Sequence, residues 1–262
     1  MGNTSLRAWY TSSLACRDGG LRLPTTLFPL LILGPMIGPS VTEVVLSGLT
    51  ITGGTGWEGP GVGVNSAARA VIADCTLSGN EAAGLWLVES AQAVVVGSRI
   101  SQSAFGIILT DASRAAVVSC EIFANPWGGL VVGGSSSGTI TNCTITGSDS
   151  FGIALGGTSH TTITTCTISG NMYGIGVRDS AHVVIEDNRI VASKEFGVML
   201  IEPPCFLEGG KAIAHFSGYV TGARNSITAL QTPEGSVTGN LCPEPDLGFL
   251  MTDEGGELDR RK

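Results

Sequence analysis

The sequence predicts an all-β fold, a parallel β-helix in which one chain coils through three parallel sheets. Three observations predict it. The first is a repeat: Cys75, Ser98, Cys120, Cys143, Cys166 and Asn188 follow one another at spacings of 23, 22, 23, 23 and 22 residues. The second is the apolar pattern locked to that repeat, with Leu77, Ile100, Ile122, Ile145, Ile168 and Ile190 two positions later and Ile72, Val95, Val117, Ile140, Ile163 and Ile185 three positions earlier. The third is a Gly-aliphatic step further along each unit, at Gly84, Gly106, Gly129, Gly152, Gly174 and Gly197. Each unit thus holds three short stretches of period 2. A unit this small cannot bury three apolar stretches alone, so it stacks on copies of itself, one per turn.

The elements follow in order. Residues 1–24 carry no pattern and read as an irregular lead-in. The apolar run 27–37, with Arg7, Arg17 and Arg22 before it, resembles a signal segment superficially, but Pro29 and Pro35 interrupt it and it is too short to span a bilayer. A buried strand is its expected state. The coil is expected over residues 25–230, about eight rungs of 22–23 residues. An earlier copy (Leu46, Leu49, Ile51, Gly63-Val64) and a later one (Asn225-Ser226-Ile227) extend the six aligned units, with an insert at 202–215 delaying the later copy. Residues 231–262 are expected to form a cap and an acidic tail; Leu247, Phe249 and Leu250 would close the open last rung, whose strand edges would otherwise invite aggregation.

Parallel strands stack about 4.8 Å apart, so each column of the alignment becomes a ladder of like residues. Asn80, Ser103, Asn125, Ser148, Asn171 and Ser193 form one such ladder, placed to bond the backbone of a corner. The repeat glycine is expected to supply positive φ at the next corner. Cys75, Cys120, Cys143 and Cys166 share an inward column and read as small, buried apolar residues, reduced and inert, because rung spacing exceeds the Cβ separation of about 3.8 Å that a disulfide prefers. Cys205 and Cys242 lie outside the ladder and are candidates for a disulfide, which would imply an oxidising compartment.

Composition narrows the function. Only 14% of residues are charged, against about 25% in an average soluble protein. The net charge is -8, and the single basic run is Arg260-Arg261-Lys262. Phosphate backbones need clustered cations, so nucleic acid is excluded as a partner.

Units such as Ile163-Thr164-Thr165-Cys166-Thr167-Ile168, continuing through Asn171 to Gly174-Ile175-Gly176-Val177, resemble the right-handed parallel β-helix repeat of the pectin-lyase-like superfamily. The resemblance covers about residues 41–230. It implies a right-handed coil, often in a secreted or cell-surface protein. The superfamily includes pectate lyases, polygalacturonases, uronan epimerases, tailspike depolymerases and periplasmic proteins that help mature a copper enzyme. It therefore implies polysaccharide as the partner and an extracellular, periplasmic or cell-surface location, with a binding or structural role. The calcium-binding Asp set of pectate lyases and the Gly-His-Gly element of polygalacturonases are absent. A lyase or glycosidase acting on an acidic glycan is the alternative.

Three columns offer candidate sites. Five residues after the repeat glycine stand Glu89, Asp111, Gly134, Gly157, Asp179 and Glu202; Asp179 and Glu202, with Arg178 and His182 nearby, form the candidate catalytic set, and paired carboxylates also suit Ca²⁺ although no cofactor is required. Six residues before the cysteine position stand Arg69, Gln92, Arg114, Ser137, His160 and His182. Arg69 and Arg114 suit an anionic sugar, and His160 with His182 could share a metal. An aromatic column of Phe105, Phe151, Tyr173 and Phe196, with Trp127 beside it, could stack sugar rings or simply stabilise the repeat.

Overall fold

The computed structural model describes residues 21–22, 36–37, 43–55, 59–201, 207–208, 211–212, 218–229, 237–239 and 247–258. The chain is a right-handed parallel β-helix, as predicted. The first sheet runs through strands such as Arg69–Ala73, Gln92–Val96, Arg114–Val118, Ser137–Thr141, His160–Thr164 and His182–Glu186. The second runs through Thr76–Ser78, Arg99–Ser101, Glu121–Phe123 and their successors, and the third through Ala83–Leu87, Phe105–Leu109, Gly128–Val132 and theirs. The sheets hold 10, 8 and 9 strands, and the 8-stranded sheet takes one strand from each turn.

Register is in phase throughout the middle of the coil. Val95 pairs with Val117, Val117 with Ile140, and Ile140 with Ile163. Period-2 alternation turns these aliphatics inward, where Ile72, Leu77, Leu85, Ile100, Ile122 and Ile145 are fully buried in one continuous core. At the start of the coil Leu21–Arg22 pairs with Val44 and Val45, and Met36–Ile37 with Gly63 and Val64. Within the region of the expected insert, Leu207–Glu208 pairs antiparallel with Lys211–Ala212.

The corners explain the ladders. Cys120, Cys143 and Cys166 stand on consecutive rungs: the Cys120 backbone N–H donates to Cys143 Sγ at 3.5 Å and that of Cys143 to Cys166 Sγ at 3.4 Å. Ser98, Asn188 and Asn225 fill the same place, accepting from the N–H of Cys75, Cys166 and Asn188. The thiols are thus not apolar filler: those of Cys143 and Cys166 each accept a backbone proton, and all three donate to the carbonyl two residues back. Burial pushes the Cys75 thiol upward in pKa, and the bond to Cys143 together with burial does the same to Cys120. All four described cysteines are free. The Asn80 ladder works alike at the second corner: Asn80, Asn125 and Asn171 accept from Gly54, Ser103 and Ser148 N–H. Asn125 and Asn171 also donate to Ile100 and Ile145 carbonyls.

The repeat glycine differs from expectation. Positive φ belongs to other positions, among them Gly79, Gly97, Gly134, Gly147, Gly157 and Gly170. The repeat glycine is needed because the backbone of the next turn is too close for a side chain. A Cβ on Gly106 would lie 2.3 Å from the Gly129 carbonyl oxygen, and one on Gly129 would lie 2.6 Å from that of Gly152. Steric approach, not backbone handedness, selects it.

At the far end, Leu247 and Leu250 are buried against the core, and the Asn225 amide side chain donates to the Leu250 carbonyl at 2.7 Å. Gly256–Glu257 then pairs antiparallel with Thr221 and Gly222, reversing the direction of the first sheet.

Candidate functional site

The outer face of the first sheet carries a shallow groove of about 440 Å³. Two outward columns line it, because strands of period 2 send residues one and three to the same face. The first column is Glu43, Arg69, Gln92, Arg114 and Ser137 in continuous register. The second column, Val71, Val94, Ala116 and Thr139, is the floor. Val94 is 45% exposed, a large aliphatic left open to water at a position where alternation calls for a polar side chain. Arg69 and Arg114 are exposed, and no described carboxylate lies within ion-pair distance of either, whereas Arg99, Arg178 and Arg224 each have one.

The structure brings some expected groups together and separates others. Arg69, Arg114, His160 and His182 share one column of the first sheet, but the aromatic column is on the third sheet and makes no common site with them. His160 and His182 are adjacent, ring centroids 4.6 Å apart, with Tyr219 next at 5.6 Å from His182. On the third sheet Phe151, Tyr173 and Phe196 stack on one another at 4.7 and 6.4 Å, so their ring faces cover each other. Gly128 interrupts the column between Phe105 and Phe151. Phe105 meets Trp127 edge to face at 5.7 Å, and Trp127 is 50% exposed. Together with Trp86 and Glu81 they line a small pocket of about 70 Å³.

The acidic column sits at a left-handed corner. Glu89, Asp111, Gly134, Gly157 and Asp179 all have φ between 57° and 66°, a conformation that favours the Asp and Gly found at four of these five positions. Asp111 and Asp179 each accept a backbone N–H from the preceding turn, that of Glu89 and that of Gly157, both at 2.8 Å. Arg178 lies 3.6 Å from Asp179. Glu202, Cys205 and Cys242 lie outside the described residues, so the Asp179/Glu202 pair and the expected disulfide have no described geometry. Sequence reasoning identified the Arg69 to His182 column but not the floor beside it; the signal was Val71, Val94 and Ala116 at outward positions.

Fold and surface define a right-handed parallel β-helix repeat protein with an open, cation-edged groove. The chain belongs to the family described as "Periplasmic copper-binding protein (NosD)", whose pattern matches residues 44–204. Among solved structures it is similar to the periplasmic alginate epimerase AlgG, at 11% identity and a TM-score of 0.48, over 81% of this chain and 61% of that one. A point mutant of the same epimerase matches at 12% identity and a TM-score of 0.44, over 82% and 63%. The chain therefore spans less than two thirds of the length of these structures. No curated protein matches.

The family's description raises copper, and the described residues do not fit it. Among the described residues no three His, Cys, Asp or Glu side chains come together as a metal-holding group. His160 and His182 supply two nitrogens at most, and the stacked thiols are buried and committed to backbone bonds. Among the described residues no helix is long and apolar enough to cross a membrane.

Proposed function

We propose that this chain is a polysaccharide-binding β-helix module acting outside the cytoplasm, its ligand lying in the groove of the first sheet. The observation that carries this is a pair of exposed guanidinium groups, Arg69 and Arg114, beside a floor of Val71, Val94, Ala116 and Thr139. Such a surface suits a sugar polymer: the C–H faces of the rings lie on aliphatic side chains, and hydroxyls or acids bond the polar edge. Gln92 and Ser137 add neutral hydrogen-bonding groups between and beyond the arginines. Cations, neutral polar groups and aliphatics dominate the lining, with Glu43 as its one carboxylate, so the paired carboxylates that glycoside hydrolysis uses are not in it, which favours binding over turnover. The periplasmic description of the family supports an extracytoplasmic location. Within this reading residues 25–230 form the binding solenoid, 202–215 an insert and 231–262 a cap.

The test is a glycan array, followed by calorimetric titration of the full chain at low and moderate salt. Neutral and acidic polymers are both included. Binding that is lost in the Arg69→Ala, Arg114→Ala double variant supports the reading. Absence of binding to every glycan at both salts overturns it. A reducing-end and unsaturated-product assay runs alongside, and turnover abolished by Asp179→Asn would restore the catalytic alternative.

A further inference from the structure

We infer that the groove is matched to an acidic glycan carrying one anionic ring per disaccharide, laid across the strands with one ring to each strand. This rests on the reading that the groove binds polysaccharide. The argument begins with the first column, where cation and neutral side chain alternate: Arg69, Gln92, Arg114, Ser137. Strands stand about 4.8 Å apart, so the two guanidinium positions are separated by about 10 Å along the coil. One strand spacing is close to the advance of one pyranose ring in an extended chain. Two strands therefore correspond to a disaccharide, and one charge per two strands to one acid per disaccharide. The alternation spans these four strands; beyond Ser137 the column continues with His160 and His182 on adjacent strands, outside the groove lining. At the other end Glu43 precedes Arg69 in the column and repels any anionic ring placed before it, which sets the boundary of the site.

The surface beside the groove supplies the discrimination. Beyond the floor, the next outward column of the same sheet is Ala73, Val96, Val118 and Thr141, half-buried and without a cation, which a ring wider than the groove would meet. A homopolymeric uronan in an extended two-fold conformation turns successive carboxylates to opposite edges. Half of them would then lie against Val96 and Val118 with no partner, and a charge moved out of water without a partner is penalised. A glycan whose second ring is neutral leaves nothing charged on that side. The floor between the two columns, Val71, Val94 and Ala116, contacts both kinds of ring alike and supplies affinity without selectivity.

The experiment titrates the full chain with three octasaccharides: alternating glucuronate and N-acetylglucosamine, all-uronate, and the alternating chain with its carboxyls reduced to alcohols. The alternating acid is expected to bind about tenfold more tightly than either of the others, the worth of one charge-assisted hydrogen bond. Arg69→Ala and Arg114→Ala should each erase that advantage, with Arg69→Lys and Arg114→Lys retaining part of it. Val96→Arg, which puts a cation in the column beyond the floor, should raise all-uronate affinity while leaving the alternating chain unchanged; circular dichroism verifies that the variant is folded. All-uronate binding as tight as the alternating acid overturns the inference but leaves polysaccharide binding standing, and so does a reduced chain that binds equally well. Failure of all three, with failure across the glycan array, removes the proposed function itself.

Discussion

The corners inside the coil and the outer face of the first sheet are built by the same repeat, yet they constrain their residues differently. In the interior column Cys, Ser and Asn replace one another freely, because the position asks for an acceptor facing the N–H of the turn before. On the outer face Arg, Gln, Ser and His follow one another in an equally regular column, but there the backbone of the next turn asks for no particular side chain. A ladder held by its own backbone reports on stability. A ladder whose two arginines have no described carboxylate within ion-pair distance is where we propose that a ligand binds.

That contrast can be broken at the interior first. Gly129→Val would drive a side chain into the Gly152 carbonyl, and the expected loss exceeds about 4 kcal/mol or prevents folding, read by urea denaturation. Asn171→Ala removes an acceptor from Ser148 N–H and a donor from the Ile145 carbonyl, both buried, for a loss of about 2 to 4 kcal/mol. Cys143→Val should cost about 1 to 3 kcal/mol by orphaning the Cys120 N–H, while Cys143→Ser keeps an acceptor and costs less. A thiol reagent should leave Cys75, Cys120, Cys143 and Cys166 unmodified in the native protein and label them once it is unfolded. The outer face sharpens the contrast from the other side: Arg69→Ala with Arg114→Ala should change stability by less than about 0.5 kcal/mol.

The smallest effect belongs to the exposed pair of Asp187 and Arg224, joined by bonds of 2.6 and 2.7 Å. The guanidinium holds the Asp187 carboxyl below the usual carboxylate range. Its stabilising contribution is therefore present above the ordinary carboxylate titration and fades as pH falls through the lowered value. Asp187→Asn should be slightly less stable than the parent at neutral pH, and the difference should vanish in acid, as followed by thermal melts across pH.

Much of this was legible in the chain alone. The spacing of the cysteine column fixes which residues share a ladder, since a solenoid converts sequence period into spatial adjacency; Cys143 and Cys166 stand on neighbouring turns as the spacing requires. The Arg69 to His182 column was legible for the same reason. The cause of the repeat glycine was not, because close approach of Gly106 to Gly129 depends on how tightly the turns coil. The partnership of the thiols was also hidden, since composition reads cysteine as apolar and only geometry reveals the donor above it. The groove itself escaped because a floor is a relation among three strands, and no single strand announces it.

Since every circuit closes on the same three bends, the molecule can grow only by whole circuits. Copying residues 137–159 in tandem would set Arg114 and His160 one more strand apart and leave every bend unaltered. Reach along the outer surface thus comes in fixed increments, a ruler lengthened by duplication and not by point substitution.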